Sequence, residues 1–206
     1  MKLRLLSRVM VVSLVVIVAA IMVIHSRLDQ SQAAPALQGT SLGDTPAPAF
    51  SLVDQNGATV SLSTLKGRPV VLVFMYTHCP DECPFTAELL HTTTQDLGAQ
   101  AARVAWVAIS VDPAGDTPQD VTAFVAAHHL TGYMRYLLGS RAQLAPLWHA
   151  YGIVPETDPF AASNGAEVNH VLGVFVLDGQ GRQRVYLGYP FDPSVLSADL
   201  RALLAS

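Results

Sequence analysis

The chain alternates short apolar runs with amphipathic stretches, and the period of each predicts an element. Residues 70–76, Val-Val-Leu-Val-Phe-Met-Tyr, are continuously apolar and rich in β-branched and aromatic side chains, the mark of a strand buried on both faces. A helix pattern over residues 84–97 separates it from a second buried strand over residues 104–111. Thr117-Pro118 then opens another helix, because Thr can cap and Pro fits the first turn. Upstream, residues 50–62 alternate apolar and polar positions about Asn56-Gly57, a strong hairpin signal. Downstream come a short strand over residues 133–138 and a capping-box pattern, Ser140-Arg-Ala-Gln143, that starts a helix containing Pro146. Residues 171–177 and 182–187 flank Asp178-Gly-Gln-Gly181 as a second hairpin, and a last helix from about Pro193 turns Val195, Leu196, Leu200 and Leu203 to one side. This order predicts an α/β fold, with a central mixed β-sheet flanked by helices and an N-terminal β-hairpin.

The most apolar run of all, residues 9–24, belongs to no such unit. As a helix its sixteen residues span roughly 24 Å at about 1.5 Å each; Leu5 and Leu6 extend it toward the ~30 Å hydrocarbon core while Arg8 snorkels. Lys2, Arg4 and Arg8 precede it, so the positive-inside rule places the N-terminus in the cytoplasm and the bulk of the chain outside. A cleaved signal peptide would share the charged start and apolar middle, but the nearest small-residue site, residues 33–36, stands well past the apolar run. The expected organisation is therefore a single N-terminal transmembrane helix as anchor over 1–27, a flexible Gln/Ala/Ser/Gly/Pro-rich linker over 28–47, and one globular domain over 48–206 facing the periplasm or another extracytoplasmic space. With 14% charged residues and a formal net charge of −4, the chain lacks the basic surface that nucleic-acid binding requires.

Its two cysteines stand four apart in Tyr76-Thr-His-Cys79-Pro-Asp-Glu-Cys83-Pro84, between a predicted buried strand and a helix. Pro84 predicts a helix beginning there with Cys83 as its N-cap. That spacing brings the two sulfurs near one another, and a helix N-terminus stabilises a thiolate. Two neighbouring thiolates suit Cu(I), whereas structural zinc takes four ligands and only two cysteines exist. A third ligand then comes from the histidines: His78, His91, His128, His129, His149 or His170, of which His170 sits at the start of a predicted strand. The competing reading is a plain disulfide in an exported domain, a staple worth roughly 2 kcal/mol for so small a loop.

The sequence resembles the Sco/SenC family, copper proteins of thioredoxin-like fold linked to synthesis of cytochrome c oxidase. The pieces that carry the resemblance are Phe-Ser-Leu-Val-Asp-Gln-Asn-Gly from Phe50, Thr77-His-Cys-Pro-Asp-Glu-Cys-Pro84, Ile109-Ser-Val-Asp-Pro113 with Asp116-Thr-Pro118, and His170 ahead of Asp178-Gly-Gln-Gly181. The resemblance implies a thioredoxin-like domain whose copper ligands are Cys79, Cys83 and His170, with Asp112 orienting the site or docking a partner. It also implies a metallochaperone for the dinuclear copper centre, its partners the copper-site subunit of the oxidase and an unidentified copper donor. Asn169 and Val171 flank the histidine where the family often has an acidic and a hydroxyl residue. A different class of function uses the same residues: a thiol-disulfide oxidoreductase in which Cys79 attacks and Cys83 resolves the mixed disulfide.

Overall fold

A computed structural model describes residues 13–14, 16–22, 37–153 and 173–206. The chain divides into two compact units, Met1–Ala36 and Leu37–Ser206. In the first, residues 13–14 and 16–22 are helical, with Leu14, Val16, Ile17, Val18, Ile21 and Met22 exposed. Among the described residues no helix is long and apolar enough to cross a membrane; the span expected over residues 9–24 lies partly outside them.

The second unit contains strands β1 (Thr40–Pro46), β2 (Ser51–Asp54), β3 (Thr59–Ser61), β4 (Val70–Met75), β5 (Ala105–Ser110), β6 (Met134–Leu138), β7 (Gly173–Leu177) and β8 (Arg182–Gly188). Its helices are α1 (Glu82–Leu97), α2 (Pro118–Ala127), α3 (Arg141–Ala150) and α4 (Pro193–Leu204). The described strands form one sheet in the order β1-β8-β7-β4-β5-β6-β2-β3. Strands β4, β5 and β6 run parallel, and β7 lies antiparallel on the other side of β4, so the sheet is mixed as the element order predicts.

Every residue of β4 is buried. Because successive strand side chains point to opposite faces, Val71, Val73 and Met75 join a core with Leu90 of α1, Val121 of α2 and Leu200 of α4, while Val70, Leu72 and Phe74 join a second core with Leu144 and Trp148 of α3. Helices thus cover both faces, and β4 has no solvent side. The hairpin forms where Asn56-Gly57 places it: Asp54 Oδ1 accepts the Asn56 and Ala58 amides at 2.9 Å each, and Gly57 takes φ +78°. Asp178 Oδ1 does the same in the β7–β8 turn, accepting from Gln180 at 2.9 Å and Arg182 at 3.0 Å.

Part of the stretch expected as linker is a strand. Thr40–Pro46, expected within the 28–47 tether, is β1 and pairs antiparallel with β8. It is an edge strand with mostly exposed side chains and a register shift between Ser41 and Thr45, so it carries no alternation for a pattern to detect.

Leu72 is fully buried at the centre of the sheet. Leu72→Ala should cost about 2–5 kcal/mol, read by denaturant unfolding, because a doubly covered strand cannot collapse onto the void.

Candidate metal centre

Past Met75 the chain stays close to the core, Tyr76 packing against both clusters, but leaves the sheet. Val111 N–H donates to the Met75 carbonyl at 3.0 Å, the last rung between β4 and β5, and the chain then turns through Thr77 toward the helix. Thr77 is held at both its amide, 2.8 Å, and its hydroxyl, 2.7 Å, by Asp116 Oδ1. Helix α1 begins at Glu82 with Asp81 as N-cap, two residues earlier than Pro84 suggests. Pro84 still fits: in the first turn an N–H has no intrahelical partner, so its absence costs nothing.

Asp81 makes no side-chain cap bond. The sulfur of Cys79 takes that place, accepting the Cys83 amide at 3.3 Å. Cys79 is thereby a capping acceptor at the N-terminus of α1. Both cysteines are free and buried, Cys79 at 7% exposure and Cys83 at 2%; the disulfide that composition allows is not formed. Burial pushes the Cys83 thiol well up; the Tyr76 backbone amide pulls the other way, and Cys79 and Glu82 add to the rise.

The other sequence candidates fall as follows. His170 lies outside the described residues. Asp112 closes the turn after β5, its Oδ1 accepting the amides of Ala114 at 3.3 Å and Gly115 at 3.0 Å. The turn is tight: a Cβ on Gly115 would stand 2.2 Å from Asp112 Oδ2, so a side chain there would displace the Asp112 carboxylate. His78 is exposed, its Nδ1 3.1 Å from the Thr77 hydroxyl. His128 pairs with Glu88 at 2.8 Å, and the His91 and His129 rings lie 5.2 Å apart, both groups built on α1 and α2 packing rather than on the cysteine turn. Among the described residues no group of three or more His, Cys, Asp or Glu is placed to hold a metal, so two sulfurs are the described part of any such site.

Sequence reasoning assigned no role to Asp116, although Asp116-Thr-Pro118 is one of the recognisable motifs. It is 7% exposed and accepts from Ser110 Oγ at 2.6 Å and Tyr136 Oη at 3.3 Å as well as from Thr77. Its partners come from three separate strands or strand ends, which no local pattern reveals.

The family model described as SCO1/SenC matches residues 39–205. A protein of Stutzerimonas stutzeri whose name ascribes copper binding to it is 38% identical over 146 residues, 69% of each chain. The human mitochondrial protein SCO2 homolog is 28% identical over 184 residues, 87% of this chain and 66% of that one. The chain thus spans about two thirds of the length of these relatives. Among solved structures, Bradyrhizobium japonicum ScoI with copper bound superposes with a TM-score of 0.64 at 29% identity, over 77% of this chain and 99% of that one.

The raised Cys83 pKa has a consequence for stability. An unfolded cysteine loses its proton near pH ~8.5, while the folded thiol keeps it, so the folded state binds the extra proton and stability falls as pH rises above that value. Denaturant unfolding of the reduced protein between about pH 8 and about pH 9.5, below the tyrosine range, should show a loss of up to about 1.4 kcal/mol per pH unit. Cys83→Ala should flatten that slope; an unchanged slope would place the proton elsewhere.

Proposed function

The chain belongs to the SCO1/SenC family, and from that premise we propose that it is a copper carrier that loads the dinuclear copper centre of cytochrome c oxidase. The observation that carries this reading is the cysteine pair held together by the Cys83 N–H to Cys79 Sγ contact of 3.3 Å at the start of α1. Two thiolates are soft donors matched to Cu(I), and a nitrogen from His170 completes a trigonal set. Copper is cargo here. A partner thiolate enters as one ligand leaves, so the metal passes on by stepwise exchange without ever being free. Asp112 belongs to this reading as a group that orients the turn beside the site or meets the partner, the copper-site subunit of the oxidase.

Residues 9–24 anchor the protein in the cytoplasmic membrane with the domain on the periplasmic side. The reading is supported by the basic residues before the run and by the exposed aliphatic side chains of residues 16–22. The division is an anchor over 1–27, a tether ending before Leu37, whose neighbours Gln38 and Gly39 already bond to Asp199, and a thioredoxin-like domain.

Titration of the purified, reduced full-length chain with Cu(I) should show one equivalent bound. Cys79→Ser and Cys83→Ser should each weaken it by more than about a hundredfold, beyond what an outer-shell partner costs. X-ray absorption should count two sulfur neighbours and one nitrogen; if His170→Ala neither lowers affinity nor removes the nitrogen, His170 leaves the ligand set.

The second reading, a thiol-disulfide oxidoreductase acting on a partner's copper-binding cysteines, is favoured by one observation. The less enclosed sulfur, Cys79, is the one that accepts the helix amide, as an attacking nucleophile should, and the more enclosed Cys83 is placed to resolve. Single-turnover exchange with a disulfide in the oxidase copper-site segment should then be lost in Cys79→Ser, while Cys83→Ser accumulates the mixed disulfide. A wild-type chain that exchanges nothing leaves only copper transfer.

A further inference from the structure

The cysteine turn rests on a carboxylate that neither reading uses. Asp116 Oδ1 accepts the Thr77 amide at 2.8 Å and the Thr77 hydroxyl at 2.7 Å; Oδ2 accepts Ser110 Oγ at 2.6 Å and Tyr136 Oη at 3.3 Å. Four donors on two oxygens fill the carboxylate's acceptor sites. A carboxylate is costly to bury unless it is fully hydrogen-bonded, as this one is, and a neutral residue would hold a loop more cheaply. The arrangement does something a neutral residue would not: it ties the segment after β4, the end of β5 and the middle of β6 to one point. Asp116 is itself anchored, its amide donating to the Asp112 carbonyl at 2.9 Å, and it directly precedes Thr117, the N-cap of α2, where negative charge is favoured. Ser110 Oγ in turn accepts the Asp112 amide at 3.1 Å, so the Asp112 turn hangs on the same carboxylate.

We propose that Asp116 is a positioning residue for the copper site: by fixing Thr77, two residues before Cys79, its buried carboxylate sets where the Cys79 sulfur stands relative to Cys83. The proposal deepens the copper reading and rests on it. Asn replaces one acceptor oxygen by an NH2 group, which either meets the Thr77 amide or takes from the Ser110 and Tyr136 hydroxyls the acceptor of their protons, so Asp116→Asn disrupts the lattice with almost no change of volume. Thr77→Val removes one of the two bonds to Thr77 and keeps the carboxylate.

The test uses the full-length chain, with Leu65→Ala as a control that removes a buried side chain from the end of the sheet opposite the cysteines. Amide hydrogen exchange is followed in the reduced, metal-free protein, and Cu(I) affinity by competition with a chromophoric chelator. In Asp116→Asn, exchange across residues 77–83 should quicken by about tenfold or more over any change in the rest of the sheet, and Cu(I) affinity should fall about 10–100-fold, the range of an outer-shell partner. Thr77→Val should fall between this variant and wild type on both measures, and Leu65→Ala should lower the melting temperature while moving neither. Affinity and loop exchange within about twofold of wild type in Asp116→Asn would overturn the proposal; so would a loss of affinity in Leu65→Ala equal to that of an equally destabilised Asp116→Asn. If Asp116→Asn does not fold, Thr77→Val decides by the same criteria. A wild-type chain that binds no Cu(I) defeats the copper reading by itself, and loop exchange in the metal-free variants still decides whether Asp116 positions the turn.

Discussion

Burial of β4 on both faces constrains everything else in this domain. All six of its side chains are committed to one of two cores, so none is available for chemistry, and reactive groups can appear only where the strand stops. At that end the chain must turn and start α1. The turn supplies close spacing, and the helix start supplies unpaired amides with a positive potential. Two cysteines placed across such a turn meet a setting that favours sulfur anions although the surrounding core is apolar.

Those two tendencies pull against each other, and the pair divides them. Cys83, the more deeply buried of the two, belongs to the apolar cluster that also holds Met75 and Ala87, and burial keeps its proton on. Cys79 faces the helix amides and accepts one of them. A soft cation entering between the sulfurs would replace the Cys83 proton and relieve the desolvation cost that burial imposes on a bare thiolate. The same asymmetry would order the pair for thiol exchange, so the two proposed chemistries draw on one geometry.

Much of this was legible in the chain. The doubly buried β4, the Asn56-Gly57 hairpin, the Ser140 capping box and the apolar stripe of α4 are local patterns, and the structure places each where its pattern lies. The adjacency of Cys79 and Cys83 follows from spacing alone. What escaped was non-local or unpatterned. Strand β1 is exposed, and Gly43 and Asp44 take positive φ at its bulge, so period and propensity both read as tether. The start of α1 moved because the sulfur of Cys79 caps it, a role that helix-start rules reserve for oxygen. The partners of Asp116 meet only through the parallel register of β4 on β5 and β5 on β6, which sets Met75 opposite Ser110 and Ala108 opposite Tyr136.

That register fixes one half of the proposed site. The two sulfurs hang from one strand–helix junction and, on the proposal above, one buried carboxylate, so the fold itself sets their arrangement. Among the described residues the junction brings up no third donor, so on the copper reading it arrives from elsewhere in the sequence or from another molecule. A metal held by two fixed soft ligands and one supplied separately keeps an open side, and a resident structural site closes every position. The division between a fixed pair and a supplied ligand is the property a carrier needs: enough sulfur to keep Cu(I) from water, and one contact that can be traded for a partner's.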